Sequence, residues 1–222
     1  MNPDALDQNL TNYCYKNLKE WIIRGDYAPG EKLLIAKLKE RLKVGPTPIR
    51  EALSRLTSSG LIFAEENKGF RVKPISESEI RDLYQTFNQI ECLALRQAIE
   101  LGDTAWEAGI VASLYKLSII EKSSPVDSSS WLQRNYEFHY SLISGCNSPY
   151  LLKVREDLYQ HFDRYCHLGM IVNKKSLVLN HQEHAEIAKA AIERNPDKAC
   201  ELIALHLKGS LEMVLEKLIK NS

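Results

Sequence analysis

Three histidines and an asparagine in the second half of the chain are residue types able to hold a metal ion. Asn135 and His139 stand four residues apart, which puts both on one face of a helix, and His184 and His206 fall within later helical segments. Imidazole is a common ligand for zinc, nickel and iron, and three such groups with one oxygen donor suffice for a site in the core of a helix bundle. Each histidine by itself reads first as a packed, hydrogen-bonded core residue; the metal reading belongs to the set. A second constellation lies near the N-terminus. Across residues 45–56, Ile49, Ala52, Leu53 and Leu56 recur at helical spacing as an apolar stripe, and Arg50, Ser54 and Arg55 lie off it. A short helix with a basic residue in its first turn fits a DNA major groove, where that turn reaches base edges and phosphates. Alone, the same residues also describe an ordinary amphipathic surface helix, so the flanking elements decide.

Those flanks supply a frame. Thr47 is read as the N-cap of the basic-faced helix and Pro48 as its first residue, since proline has no donor to lose there; Gly60 ends it. Upstream come a helix over about 8–24, a glycine- and proline-marked turn over 25–30, and a second helix carrying Leu38 and Leu42. Downstream, residues 61–64 and 70–72 read as two short strands around Asn67-Lys68-Gly69. Three helices and a hairpin make a winged helix-turn-helix, assigned to residues 1–75. From residue 76 the pattern changes. Ser76-Glu77-Ser78-Glu79 reads as a cap and first turn, and the apolar spacing of Ile80, Leu83, Phe87, Ile90, Leu93 and Leu95 gives a long helix. Further helices are read at 106–121, 131–144, 150–172, 181–194 and 196–220, with a serine-rich loop over 123–130 and breaks at Asn147-Ser148-Pro149 and Asn195-Pro196. The fold class is therefore mainly α: a winged helix followed by an all-helical bundle over 76–222.

Charge and cysteine content narrow the classes. Net charge is zero, but residues 1–75 hold 13 Lys and Arg against 9 Asp and Glu, and residues 76–222 hold 16 against 20. A net-positive front suits phosphate, and an acidic remainder keeps DNA to that front. No run approaches the roughly 18 apolar residues that span a bilayer, and the first residues are polar and acidic, so a cytoplasmic protein without a membrane partner is expected. The five cysteines, Cys14, Cys92, Cys146, Cys166 and Cys200, form no C-x-x-C pair and are expected to be reduced packing residues.

With these motifs in view, the first third of the chain resembles the GntR family of bacterial transcription regulators. The resemblance rests on Tyr27-Ala28-Pro29-Gly30, on residues 44–56, on Gly60-Leu61 and on Gly69-Phe70-Arg71-Val72. It implies that Arg50 is the main DNA-contacting arginine, that Arg55 and Lys39 contact phosphates, and that Lys68 and Gly69 form the wing tip; Thr47 and Ser54 complete the DNA-facing set. Gly45-Pro46 replaces the family's Ser-Arg pair, which implies a different operator. Residues 76 to about 215 resemble the FCD type of C-terminal domain, named after the FadR members of that family. Its D-x-x-x-H motif is matched by residues 135–139 with Asn135 for the aspartate, and its two later histidines by His184 and His206. The resemblance implies a divalent transition metal, zinc or nickel first, beside a small carboxylate effector, with Asn135 holding the cation less strongly than a carboxylate does. Residues 83–91 align with the family's first helix of this domain, but its carboxylate-clamping arginine is Phe87 here. A phenyl ring offers no bidentate fork, so the effector's charge would be met by Arg134, Arg155 or Arg164, or by the metal. Residues 104–108, 149–156 and 181–184 also resemble the glutarate-responsive repressors of the family, which implies a small dicarboxylate.

The expected protein is a transcription regulator, a repressor, whose affinity for double-stranded DNA changes with effector. It is expected to act as a homodimer on an inverted repeat, because one winged helix contacts too few bases for specificity. The competing readings are a metal-dependent hydrolase and a regulator whose metal is purely structural. Against the hydrolase, no H-E-x-x-H is present, and Glu137, two residues from His139, points to another face of its helix.

Overall fold

The computed structural model describes residues 3–66, 68–123, 125–169 and 174–220. The front unit comprises α1 (Pro3–Arg24), β1 (Lys32–Leu33), α2 (Ile35–Leu42), α3 (Pro46–Ser58), β2 (Ile62–Glu65) and β3 (Gly69–Val72). Its core is the meeting of three helical stripes: Cys14, Leu18 and Ile22 of α1, Leu38 and Leu42 of α2, and Ile49, Ala52, Leu53 and Leu56 of α3. The strands form an antiparallel sheet in the order β1-β3-β2, with Phe63 opposite Arg71 and Lys32 opposite Arg71 on the other side. The two-residue β1 was absent from the sequence reading because so short a strand carries no alternation; Phe70–Val72 supplies its partner.

One local expectation is corrected. Helix α3 starts at Pro46, with Gly45 as a backbone-only cap, so Thr47 lies inside the first turn and is not the N-cap. Gly45-Pro46 presets the entry without a hydroxyl, since proline at the first helical position has no amide proton to satisfy.

The second unit is helical throughout the described residues: α4 (Glu77–Leu101), α5 (Thr104–Glu121), α6 (Ser128–Ile143), α7 (Pro149–Gly169), α8 (Lys174–Ile192) and α9 (Pro196–Leu215), with a short 3-10 turn at Ser144–Cys146 and a π turn at Glu216–Lys220. Side-chain caps set the starts. Ser76 accepts from the Glu79 amide at 3.4 Å, Asp103 from the Trp106 amide at 2.9 Å, and Asn195 from the Lys198 amide at 3.0 Å. Asp127 accepts from the amides of Ser129 and Ser130, so the last serines of the expected 123–130 loop are instead the first turn of α6. Helix α8 likewise begins earlier than residue 181, and residues 170–172, expected to end α7, lie outside the described residues.

Helix α7 joins the two units. It packs against α4 and α9 in the bundle and against α1 in the front unit, and Arg164 donates to the carbonyl of Lys73 in the connecting segment. Gly25 and Gly60, both left-handed (φ +82° and +75°), abut it so closely that a Cβ would stand 2.8 Å from Leu168 Cδ2 and 3.3 Å from His161 Cε1. Between α1, α6 and α7 lies a polar cleft of about 560 Å³ lined by Lys16, Lys19, Arg24, Tyr136, Glu156 and Asp163, among others.

Candidate DNA interface and metal centre

The exposed side of α3 carries Thr47, Arg50, Glu51, Ser54 and Arg55, opposite its buried stripe. Arg55 is turned toward α1: its Nη1 donates to Asn12 Oδ1 at 2.7 Å and its guanidinium lies 4.4 Å from the centre of the Tyr15 ring. Glu51 accepts from the Thr11 hydroxyl at 2.7 Å. Two side chains of α3 thus fix its attitude against α1. Lys39 is exposed on α2. At the wing, Lys68 pairs with Glu65 at 3.1 Å and Gly69 opens β3 with φ +95°, a conformation that favours glycine. Asn67, between them, lies outside the described residues.

In the bundle, His139 of α6, His184 of α8 and His206 of α9 converge, each buried, with one ligand atom from each lying within 4.8 Å of the others. Their ring centroids are 4.7 to 5.3 Å apart. Three helices deliver them because each histidine sits on the buried, inner face of its helix; Phe138 packs against His184 from the side. Both ring nitrogens of His184 and the Oδ1 of Asn135 are buried without a hydrogen-bond partner. Orphaned donors and acceptors are costly in a core unless something meets them, and three converging imidazoles are a donor set a divalent transition metal accepts. The residues therefore fit such an ion.

The protonation states favour the same use. Burial, then the neighbouring His206, His184 and Arg155, holds His139 well below the usual histidine range, and burial brings His184 down to about 4, against the pull of Glu121. Both imidazoles are neutral near pH 7 and free to coordinate. Two carboxylates back them. Glu183 Oε2 stands 2.7 Å from His206 Nδ1, which fixes a proton there and leaves Nε2 as a lone-pair donor. Glu121 accepts from His181 Nδ1 at 2.9 Å and approaches His184 Nδ1 at 3.7 Å, too far for a hydrogen bond but close enough for charge to act. Burial pushes the Glu121 carboxyl up, and His184, Trp131 and His181 together hold it lower than usual. Neither glutamate was singled out from the sequence. Glu183 had a signal, an acid adjoining His184, whereas Glu121 lies 60 residues or more from the histidines it supports.

The three candidate arginines part company. Arg134 is partly exposed and pairs with Glu137 at 2.5 Å on the surface of α6, which also turns Glu137 outward from the histidines. Arg164 stands at the junction of the two units, on the Lys73 carbonyl. Arg155 is fully buried on α7: its Nε and Nη2 donate to Glu91 Oε2 and Oε1, 3.0 Å each, in a bidentate pair, and Phe87, Tyr136 and Tyr159 surround it. Its Nη1 is buried and without a hydrogen-bond partner, and its charge reaches His139. Phe87, where the family pattern has arginine, stacks on Phe162 at 4.6 Å and stands 5.3 Å from that guanidinium.

Comparison with known proteins finds two family matches in the chain. Residues 10–72 match the bacterial regulatory proteins of the gntR family, and residues 82–209 match the FCD domain. An uncharacterized HTH-type transcriptional regulator, BphR of Paraburkholderia xenovorans (strain LB400), is 33% identical over 216 residues, covering 96% of this chain and 88% of its own. The HTH-type transcriptional repressor GlaR of Escherichia coli (strain K12) is 32% identical over 212 residues, covering 93% and 96%. Among solved structures, E. coli McbR/YncC superposes with a TM-score of 0.79 at 21% identity, covering 93% of this chain and 97% of that one, which bears on the fold alone.

Proposed function

Because the chain belongs to the GntR family, as a DNA-binding transcription regulator with an FCD domain, we propose that it is a repressor released or retained by a small carboxylate effector. The effector binds beside a zinc or nickel ion held by Asn135, His139, His184 and His206. When bound, that ion supplies a Lewis-acidic position for a carboxylate oxygen. The observation that carries the reading is Arg155 Nη1, a buried cationic donor without a hydrogen bond, met only by the Glu156 carboxylate at 3.9 Å while the rest of its guanidinium is satisfied by Glu91. A second acidic oxygen on the ligand, or the far carboxylate of a dicarboxylate, answers it. In this reading Arg155 supplies from α7 the charge that Phe87 withholds from α4.

DNA is read by Arg50 with Thr47 and Ser54 on the exposed side of α3, with Lys39, Lys68 and Gly69 at the backbone, by two heads of a homodimer on an inverted repeat. Arg55 serves by holding α3 to α1. The protein acts in the cytoplasm; among the described residues no helix is long and apolar enough to cross a membrane.

The test combines the metal content of the purified protein with thermal-shift screening of small mono- and dicarboxylates, glutarate among them, with and without chelator. A ligand that raises the melting temperature of the metal-loaded protein, and changes its affinity for operator DNA, is the expected outcome. Loaded protein that responds to none of them would remove the carboxylate from the reading.

A further inference from the structure

Helices α4 and α9 run antiparallel and are joined by successive cross-links: Tyr84 to Ser210 at 3.3 Å, then Cys92 to Cys200, then Arg96 to Asp197 at 2.7 Å. The middle one is reciprocal. Cys200 Sγ donates to the carbonyl oxygen of Cys92 at 3.6 Å, and Cys92 Sγ, whose one proton is shared with Asn88 Oδ1 at 3.6 Å, stands 3.8 Å from that of Cys200. Each sulfur therefore lies against the other residue's backbone, a closeness of approach that only small side chains allow. Cys200 is buried and Cys92 half-buried, and neither takes part in the histidine cluster or the DNA-facing surface.

We propose that Cys92 and Cys200 form a peroxide-oxidisable dithiol site that closes to a disulfide between α4 and α9. The two thiols are unequal. Contact with the Cys92 thiol, and then the positive charge of Arg96, outweigh burial and Asp197 to bring the Cys200 thiol below the usual range. The same contact, with burial and the charge of Glu91, pushes Cys92 up despite Arg96. In the proposed site Cys200, beside Arg96, is the attacking sulfur and Cys92 the resolving one. The Cys200 thiolate attacks one oxygen of a hydroperoxide; the O–O bond breaks, and its electron pair leaves with the other oxygen, which takes a proton as water or an alcohol. Cys200 is left as a sulfenic acid. Cys92 then attacks the sulfenic sulfur, its proton passing to the departing hydroxyl, which leaves as water. Two thiols have lost two electrons and two protons, and the peroxide has taken up both. The bond ties the first half of α9, whose later turns carry His206, to α4.

Full-length protein treated with near-stoichiometric hydrogen peroxide, denatured, alkylated and mapped by peptide mass spectrometry tests the assignment. The expected product is a Cys92–Cys200 cross-linked peptide, two hydrogens lighter, that forms before Cys14, Cys146 or Cys166 is modified and is reversed by dithiothreitol. In Cys92→Ser, Cys200 should stop at a sulfenic acid that dimedone captures; in Cys200→Ser, Cys92 should remain a thiol. Should either serine variant misfold by circular dichroism, the mapping of the unaltered protein still decides. Over-oxidation of Cys200 without a cross-link, or earlier reaction at the other three cysteines, would overturn the proposal.

Discussion

Two arginines five residues apart on α3 do different work. Arg55 is bonded to Asn12 and laid over Tyr15, so it fixes the angle at which the helix is presented, whereas Arg50 stands exposed at the start of the second turn. Replacing Arg50 by alanine should cost about 1 to 3 kcal/mol of specific operator binding without lowering the melting temperature. Fluorescence anisotropy with a cognate duplex measures this, and an unchanged affinity would take Arg50 out of the interface. On α7, Asp163 faces the cleft toward α1 with its side chain 22% exposed, and burial pushes its carboxyl up to about 6 despite the pull of Lys19. An acid whose folded pKa lies above its unfolded value binds its proton more tightly when folded. That contribution is complete below the unfolded value near 4 and is lost as pH rises through 6, so ionised Asp163 is a net cost at neutral pH. Asp163→Asn should therefore stabilise the protein by about 1 to 3 kcal/mol at pH 8, and the gain should shrink as the pH is lowered to 5. Paired thermal melts at the two values check it, and a gain larger at pH 5 would reverse the assignment.

Among the helices, α5 carries apolar residues on its outer side as well as its inner one. Its inner face buries Trp106, Ile110 and Leu117, while Ala105, Ala108, Ala112, Tyr115 and Ile119 are exposed at alternating spacings of three and four, the repeat of a helix-pairing seam. Tyr115 and Ile119 are 67% and 51% exposed, and Val111 beside them 56%, more apolar surface than a lone helix leaves in water. In the proposed homodimer a second copy of α5 would cover this seam. Tyr115→Glu should shift the protein from two chains to one by light scattering while leaving its helical content intact, and a persisting dimer would move the interface elsewhere. Much at this scale was legible in advance. The helical periods, the wing and the spacing of Asn135 and His139 are local patterns, and local patterns survive in a sequence. The start of α6 was misread because serines look like loop until Asp127 is seen to cap them, and Thr47 because Gly45-Pro46 had already begun the helix. Glu121 beside His181, and Arg155 on Glu91 64 residues away, could not be read at all, since each pairing exists only through tertiary packing.

At the scale of the molecule, His139, His184 and His206 gather α6, α8 and α9 to one point, and α7 passes from Arg155, whose charge reaches that point, to Arg164 at the connecting segment. Those two arginines are nine residues apart, roughly 13 Å along a helix. An effector changes operator affinity only by the difference in its affinity for the two arrangements, typically about 1 to 3 kcal/mol. Replacing both His184 and His206 by alanine should abolish metal uptake and flatten the effector response while leaving effector-free DNA binding near its original strength. Titrations of operator with and without effector measure it, and a full response from folded, metal-free double mutant would separate the histidines from signalling. The two glycines against α7 then set the mechanics of the joint. With the place of a Cβ at Gly25 only 2.8 Å from Leu168, and that at Gly60 3.3 Å from His161, head and bundle meet without backlash. A tilt of α7 would reach the head through this contact, and a methyl group at either glycine would act as a shim, displacing the ends of Leu168 or His161 and straining a turn held at positive φ.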